Sequence, residues 1–306
     1  MTAFRIATRS SRLAMRQSQL VADALAACHE DLSVELVAMT TRGDRHVGPL
    51  ARAGGKGLFT RELEQALLAG QVQAAVHSAK DLPAEMPPAF AIAAVPARAD
   101  PRDVLVSRFP GVEALPAGAT VGTGSPRRGA QLLALRGDLT IVAVRGNVET
   151  RLGKALAATG GLDAVVLAMA GLVRGGLAER HAGAIHPLGI EQVLPAGGQG
   201  TLAVQTLRSD ASSSARLAPL EDAVSRAALS AERHVVRGLS ADCHSCLAVH
   251  VSSSSSGWMA RGMVARPSGR GMIRSSFSAG TAEQAAEGLL VDLLAHGAAE
   301  LLSPGG

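Results

Sequence analysis

Short apolar runs alternate along this chain with segments in which apolar residues recur every three or four positions. The runs are typical of buried strands, and the recurring pattern is typical of amphipathic helices. Predicted strands are 4–8, 34–39, 72–76, 90–95, 104–107, 120–122, 140–144, 164–168 and 202–206. Predicted helices between them are 11–28, 60–69, 125–135, 148–158 and one that ends near 175. Two such β-α-β series predict two α/β domains with mostly parallel sheets.

The pattern changes near residue 220, where the two series end. A helix over 221–237, weak strands around 249 and over 258–264, and a closing helix over 281–295 predict a third, smaller part. In the first helix the spacing predicts that the inward face also carries Cys28. Its other predicted members are Leu13, Leu20, Ala24 and Leu25. No internal repeat is visible in the sequence.

Composition narrows the possible classes of protein. The chain has 306 residues, 47% of them hydrophobic and 18% charged, so it can bury a large core and is not disordered. Five Phe, one Trp and no Tyr argue against the aromatic stacking surfaces of single-strand nucleic-acid binders. The absence of a long apolar run or a secretory segment, together with an odd count of three Cys, predicts a cytoplasmic protein without a membrane span.

Positive charge is concentrated at strand ends. The chain has 27 Arg and only three Lys, with a formal net charge of +4. Four predicted strands end directly in polar clusters, which are 9–11, 77–81, 123–128 and 145–147. Open parallel sheets bind ligands beyond the carboxyl ends of their strands. The four clusters therefore predict a cleft between two domains that binds an anion.

Arg127 and Arg128 support this prediction on energetic grounds. Ser125 and Pro126 mark the start of a helix, and both Arg residues fall in its first turn. A positive charge there opposes the helix dipole, at roughly 0.3–1 kcal/mol for each residue. A bound anion would reverse that sign, and the alternative is that both side chains face water or nearby acids.

Other polar groups leave more than one interpretation open. Asp81 either forms an ion pair with a neighbouring cation or stabilises a cationic intermediate and moves protons. The segment 54–57 lacks both the first glycine and the Ser or Thr of a P-loop, so a mobile lid is expected there. Cys243 and Cys246 could form a redox pair or half a zinc site, with His244 or His250 as further ligands, or supply one thiolate for covalent attachment.

Taken in order, the motifs of residues 4 to 250 resemble those of the porphobilinogen deaminase (hydroxymethylbilane synthase) family. They are RIATRS at 5–10, TRGD at 41–44, GGKGLF at 54–59, VHSAKDLP at 76–83, DPRD at 100–103, GTGSPRR at 122–128, RGNVETR at 145–151 and LPAGGQG at 194–200. Beyond Cys246 the resemblance is limited to length and pattern.

The resemblance implies a three-domain α/β protein whose first two domains are periplasmic-binding-protein-like, with mostly parallel sheets around a cleft. The expected domains are 1–97 with 195–215, which includes a lid loop at 42–57; 98–194; and 216–306, a small α+β domain that carries the cofactor Cys. It also implies a transferase that joins four porphobilinogen units head to tail on a covalent dipyrromethane, with loss of ammonia, and releases hydroxymethylbilane by hydrolysis. A cytoplasmic monomer with a small-molecule substrate, and with no nucleic-acid or membrane partner, is expected.

The resemblance also implies roles for individual residues. Asp81 is the expected catalytic carboxylate, which would bind pyrrole N–H groups and stabilise the positive charge that develops as ammonia leaves. Cys243 is the expected attachment point, through a thioether, and no metal is expected. The expected ligands of the cofactor carboxylates, besides Asp81 itself, are Lys80, Thr123, Ser125, Arg127 and Arg128. The expected contacts to substrate or growing chain are Arg9, Ser11, Gln17, Arg145, Arg151 and Arg174, and the lid residues are Lys56 and Phe59.

The sequence departs from the family pattern around the attachment point. Ala241 and Asp242 stand where two glycines are usual, and Cys246 replaces a proline. Asp242 would raise the thiol pKa while a charged His244 would lower it. Cys246 is therefore an alternative carrier, although the register favours Cys243. A carboxylate-binding protein without turnover, on the same scaffold, is the second functional hypothesis.

Overall fold

The computed structural model describes residues 3–45, 57–157, 161–240 and 245–302. Its contacts divide the chain into two compact units, residues 1–98 with 201–227 and residues 99–200 with 228–306. The strands are β1 Phe4–Arg9, β2 Val34–Met39, β3 Ala74–Ser78, β4 Phe90–Ala94, β5 Asp103–Ser107, β6 Thr120–Gly122, β7 Thr140–Val142, β8 Ala164–Ala168, β9 Ile185–Pro187, β10 Leu202–Leu207, β11 Leu247–Ser254, β12 Gly257–Val264 and β13 Ile273–Ala279. The α-helices are α1 Arg12–Cys28, α2 Arg42–Arg45, α3 Arg61–Leu68, α4 Pro126–Leu135, α5 Val148–Leu156, α6 Met169–Arg174, α7 Ala211–Leu217, α8 Ala223–Gly238, α9 Ala282–Ala295 and α10 Ala298–Leu302.

The first unit is built on a five-stranded sheet in the order β2-β1-β3-β10-β4. β1 is parallel to both β2 and β3, whereas β10 is antiparallel to β3 and β4. Four of its strands therefore run in one direction. Ile6 and Val76 are buried on one face of the sheet with Leu25 of α1, while Ala7 and Ala75 are buried on the other face with α3. Burial on both faces explains why the strands appear as continuous apolar runs.

The second unit contains a five-stranded sheet of the same plan, in the order β7-β6-β8-β5-β9. Again one strand, β5, is antiparallel to its two neighbours, and β6 is parallel to β7 and β8. The topology thus repeats although the sequence shows no repeat, because the same order of strands can be encoded by different apolar residues.

The second unit also contains an antiparallel sheet, β11-β12-β13, covered by α9. Gly262 permits close packing there, because an added Cβ would lie 2.7 Å from Leu293 and 3.1 Å from Leu289 of the helix. This mixed α/β architecture of two five-stranded sheets and one small sheet confirms the predicted fold class. The three predicted domain boundaries stay predictions.

Some local predictions are wrong. Leu25 is buried as expected, but Leu20 is 51% exposed and Ala24 and Cys28 are also exposed. The buried face of α1 instead includes the polar residues Gln17 and Ser18. The prediction therefore placed Leu20 and Ala24 inward, whereas the apolar residues buried next to Leu25 are Val21 and Ala22. Strands β9 and β13 were not predicted, and no helix in the described part of the chain is long and apolar enough to cross a membrane.

Candidate active site

In the first unit, two of the predicted clusters lie at one edge of the sheet. β1 and β3 are parallel neighbours, so Arg9 at the end of β1 and the residues that follow the two strands, 10–11 and 79–81, lie at the same edge of the sheet. Ser11 is the N-cap of α1 and accepts the Ala14 N–H at 3.3 Å. The buried Gln17 accepts a hydrogen bond from the Ser78 hydroxyl at 3.2 Å, which links α1 to the end of β3.

Asp81 ends the short 3-10 helix Ala79–Asp81 that directly follows β3, and its side chain is exposed. The half-buried Lys80 precedes it. Strand β3 lies between β1 and β10 in the sheet. Its end therefore presents the Asp81 carboxylate to solvent, next in sequence to the Lys80 ammonium group. A carboxylate in this position is accessible from solvent at the end of the strand.

Arg9 is held by two partners. Its guanidinium forms an ion pair with Asp44 and stacks on the Phe59 ring at 4.2 Å from the ring centroid. Asp44 also accepts the Thr41 N–H at 3.1 Å and the Thr41 hydroxyl at 2.7 Å. Burial raises the pKa of Asp44, but the hydrogen bonds from Arg9 and Thr41 outweigh it and hold that pKa below its usual value. Phe59, a predicted lid residue, therefore lies beside Arg9, whereas Lys56 lies outside the described residues.

His77 is a buried histidine to which the sequence gave no role. Its Nε2 lies 2.9 Å from Oε1 of the buried Gln205, and Nε2 of Gln205 donates to Glu64 at 3.1 Å. Since the carboxylate only accepts, Gln205 presents its oxygen to His77, and the imidazole donates from Nε2. Burial lowers the pKa of His77 to about 4. The imidazole is therefore neutral at physiological pH.

The second unit repeats the arrangement at the ends of β6 and β7, which are also parallel neighbours. The buried Thr123 follows β6, and its Oγ1 accepts the Ser125 N–H at 3.1 Å. Ser125 is the N-cap residue of α4, as predicted, but within the described chain its hydroxyl caps none of the free N–H groups of the helix. Arg145 follows β7 and is exposed, and Nε of Arg151 donates to the Gly146 carbonyl at 2.8 Å.

Arg127 and Arg128 bind a buried carboxylate of the chain itself. Nη2 of Arg127 is 2.8 Å from Oδ2 of Asp103, and Nη2 of Arg128 is 2.7 Å from its Oδ1. Oδ1 also accepts hydrogen bonds from Nε of Arg128 and from Nε2 of Gln199, at 3.1 and 2.8 Å. Asp103 is fully buried, and both guanidinium groups are nearly so. Burial raises the pKa of Asp103, but the two arginines outweigh it and hold that pKa far below its usual range.

The charges of this cluster do not cancel. Two guanidinium groups and one carboxylate leave one net positive charge in a buried position, counted over the residues that the structure describes. The alternative that the two Arg residues bind a nearby acid is thus correct as far as Asp103 goes. One cation is left over, and a buried cation is costly unless an anion lies close to it. Asp103 therefore balances only one of the two positive charges that the described residues place in this cluster.

Arg174 lies in the last turn of α6, where a positive charge suits the helix dipole. Its Nη2 donates to the Gly200 carbonyl at 2.8 Å, and burial lowers its pKa. No carboxylate among the described residues forms an ion pair with it. Arg174 is thus a half-buried cation of this unit without an ion-pair partner among the described residues.

The attachment segment is described only in part, because Cys243 and His244 lie outside the described residues. Cys246 is buried beside Ala248, Met263 and Leu194, and burial raises the pKa of its thiol to about 11. Among the described residues, no three His, Cys, Asp or Glu side chains are placed to hold a metal ion. The zinc and redox alternatives depend on residues that the structure does not describe.

Sequence reasoning missed the acids that hold the arginines. Asp44 and Asp103 belong to the recognised motifs TRGD and DPRD, yet no local spacing indicates that they bind Arg9 and the Arg127–Arg128 pair. Gln199 lies in the recognised loop 194–200 and was missed in the same way. The one signal in the sequence for the two acids is that an Asp stands in each of two motifs that also contain Arg, TRGD and DPRD.

Comparison with known proteins identifies the family. A family model described as "Porphobilinogen deaminase, dipyromethane cofactor binding domain" matches residues 4–215. The porphobilinogen deaminase of Syntrophotalea carbinolica is 44% identical over 306 residues, which cover 99% of this chain and 96% of the relative. That of Thiobacillus denitrificans is 42% identical over 301 residues, 97% of each chain, and that of Stenotrophomonas maltophilia is 51% identical over 246 residues, 80% of each. The chain therefore belongs to the porphobilinogen deaminase family.

Proposed function

We propose that this chain condenses four porphobilinogen units head to tail, with loss of ammonia, and releases hydroxymethylbilane by hydrolysis. It is a transferase of tetrapyrrole biosynthesis, and dipyrromethane, attached through a Cys thioether, is its cofactor. The family match over residues 4–215 and the relatives that match almost the whole chain support this function. When bound, the dipyrromethane supplies the pyrrole to which the first unit is joined.

The observation that carries the proposal is the buried net charge of the Asp103 cluster. Every pyrrole of substrate and cofactor bears an acetate and a propionate, so the bound chain is a polycarboxylate. One such carboxylate would neutralise the cation that Asp103 leaves uncompensated beside Arg127 and Arg128. A guanidinium group has five N–H donors, and Asp103 with nearby carbonyls uses only two on Arg127 and three on Arg128. Donors therefore remain for a ligand.

The remaining cofactor ligands are assigned by chemistry and position. Lys80 supplies an ammonium group, and the Thr123 and Ser125 hydroxyls lie at the start of α4, where free backbone N–H groups favour anions. Cys243 is the attachment residue. Cys246 is poorly suited to that role, because a buried thiol with a pKa of about 11 is not ionised at neutral pH and cannot act as a nucleophile.

Asp81 is the catalytic residue. Its exposed carboxylate accepts hydrogen bonds from pyrrole N–H groups and stabilises the positive charge that develops as the amine of the substrate departs. It then accepts the proton that the attacking pyrrole loses on bond formation. His77 stays neutral beside it and adds no competing positive charge. Six residues bind the carboxylates and polar edges of substrate and growing chain, namely Arg9, Ser11, Gln17, Arg145, Arg151 and Arg174.

The wider setting follows from the same chemistry. We propose a cytoplasmic monomer with three domains, 1–97 with 195–215, 98–194 and 216–306, and a lid formed by 42–57 with Lys56 and Phe59. The partner is the small-molecule substrate, with no nucleic acid, membrane or metal involved. Size-exclusion chromatography with light scattering tests the oligomeric state, since a mass of twice 31.1 kDa would contradict it.

Intact-protein mass spectrometry with a porphobilinogen assay tests the function. The wild type is expected to carry a mass excess of two pyrrole units, which Cys243→Ala loses and Cys246→Ala keeps. Asp81→Asn is expected to keep the excess but to lose turnover by roughly 10²-fold or more. The matched control Glu85→Gln replaces an exposed carboxylate four residues away and should act as wild type. An unmodified wild type that binds porphobilinogen without turnover would instead establish the carboxylate-binding protein.

A further inference from the structure

Glu232 is a buried carboxylate that the proposed mechanism does not use. It lies in α8 and is fully buried. Its Oε2 accepts the Gly198 N–H at 2.6 Å, and its Oε1 accepts the Val251 N–H at 2.9 Å. Nδ1 of the buried His250 lies 3.5 Å from Oε1. A carboxyl group is costly to bury unless its oxygens are hydrogen-bonded, and here both oxygens accept backbone N–H groups from two other segments, which an apolar residue could not do.

The three segments that Glu232 joins are informative. Helix α8 precedes the attachment segment 241–246, and β11, which contains Val251, follows it. Gly198 belongs to the loop 194–200. Glu232 therefore ties both elements that flank the attachment residue to a single loop.

The same loop is bonded directly to the arginines that we assign to the cofactor. The Leu194 carbonyl accepts a hydrogen bond from Nη1 of Arg127 at 2.5 Å. Five residues further along the loop, Nε2 of Gln199 donates to Oδ1 of Asp103 at 2.8 Å, and that oxygen also holds Arg128. The elements that flank the attachment segment are thus connected to the Arg127–Arg128 pair through hydrogen bonds at both ends of one short stretch of loop backbone, 194–199.

We infer that Glu232 is a positioning residue for the covalent cofactor. It holds α8 and β11, which precede and follow the attachment segment, to the loop that is hydrogen-bonded to the guanidinium groups; the inference rests on the proposed roles of Cys243, Arg127 and Arg128. A carboxylate suits this position because its two oxygens accept two backbone N–H groups at once. A glutamine offers one oxygen, and its NH₂ group would face the second N–H.

The experiment compares Glu232→Gln with a destabilising control on the same helix. Leu229→Ala removes a buried apolar side chain from α8 and touches none of the hydrogen bonds described above. The thermal midpoint, the fraction of protein with the two-pyrrole mass excess, and the kcat and KM of the loaded protein are measured for both. We expect Glu232→Gln to lower the loaded fraction, or the kcat of the loaded protein, by roughly 10–100-fold, because small displacements of reacting groups have effects of that size. Leu229→Ala should keep the loaded fraction and the kcat of wild type, even though its thermal midpoint is lowered to a value comparable to that of Glu232→Gln.

Glu232→Asp provides a second test if the Gln variant does not fold. This variant keeps the carboxyl group but shortens the side chain by one methylene. It should be folded and loaded, with a kcat between those of wild type and Glu232→Gln and with little change in KM. A loaded wild type whose Glu232 variants match Leu229→Ala in loading and kcat would overturn the inference and leave the proposed function intact. A wild type without the mass excess would overturn both.

Discussion

Replacing Asp103 with Asn isolates the contribution of charge to the buried Arg cluster. Asp103 accepts four hydrogen bonds, three of them from the two guanidinium groups, and is fully buried. Asn has nearly the same shape, but it leaves two buried cations without a carboxylate and turns an NH₂ group towards at least one donor. Removal of one partner from a buried ion pair costs about 3–5 kcal/mol. At about 2–4 °C for each kcal/mol, the thermal midpoint should fall by roughly 6–20 °C.

The assay is thermal and urea denaturation at pH 7, with Asp100→Asn as the matched control. Asp100 lies three residues away and pairs with Arg102, but both side chains are partly exposed, at 30% and 42%. Solvent screens such a pair, so its loss should cost no more than about 1 kcal/mol. If Asp103→Asn and Asp100→Asn destabilise the protein equally, the buried charge of Asp103 does not hold the cluster together.

The structure also determines how the difference in stability between wild type and Asp103→Asn depends on pH. The folded pKa of Asp103 is depressed, so its stabilisation is complete above the unfolded pKa of about 4 and is lost only as the pH falls through the much lower folded pKa. The deficit of Asp103→Asn relative to wild type should therefore stay constant between pH 5 and 8. A deficit that disappears between pH 8 and 6 would show that another group is responsible.

Three further outcomes are expected. Because burial lowers the pKa of His77 to about 4 from 6.5, the unfolded chain binds a proton that the folded chain does not, and stability should fall by about 3 kcal/mol as the pH drops from 6.5 to 4. Urea midpoints across this range should show that fall in the wild type and not in His77→Gln. Gly43→Ala places a Cβ 2.1 Å from the Phe59 ring, so it should displace the ring from the Arg9 guanidinium and raise the KM for porphobilinogen. Gly153→Ala, whose added Cβ meets no neighbour, should leave the KM unchanged. The exposed Cys28 should react with a thiol reagent in the folded protein, while the buried Cys246 should react only after unfolding. Peptide mass mapping measures the two rates of modification, and equal rates would contradict the burial of Cys246.

Local patterns were sufficient for most of the secondary structure. Strands 120–122 and 164–168 and the helix of 126–135 lie where the apolar runs and the Ser-Pro start predict them, because backbone hydrogen bonding and one-sided burial leave a periodic trace in the sequence. The polar clusters at strand ends were also visible in the sequence, because each one directly follows an apolar run. The ends of β1 and β3, and of β6 and β7, are each brought to one edge once those strands pair in parallel.

Tertiary structure decided which charges meet. Asp103 reaches Arg127 and Arg128 across a gap of 24 and 25 residues, and Gln199 reaches the same carboxylate from 96 residues away. No periodicity encodes such a contact, since it depends on how the strand that carries the acid lies against the helix that carries the arginines. The sequence by itself therefore determined that positive charge gathers at strand ends in a chain of this family. Only the folded chain shows that one carboxylate is buried with two guanidinium groups. The reason is that the packing of β5 against α4 brings Asp103 to Arg127 and Arg128, and this packing is not encoded in any local pattern.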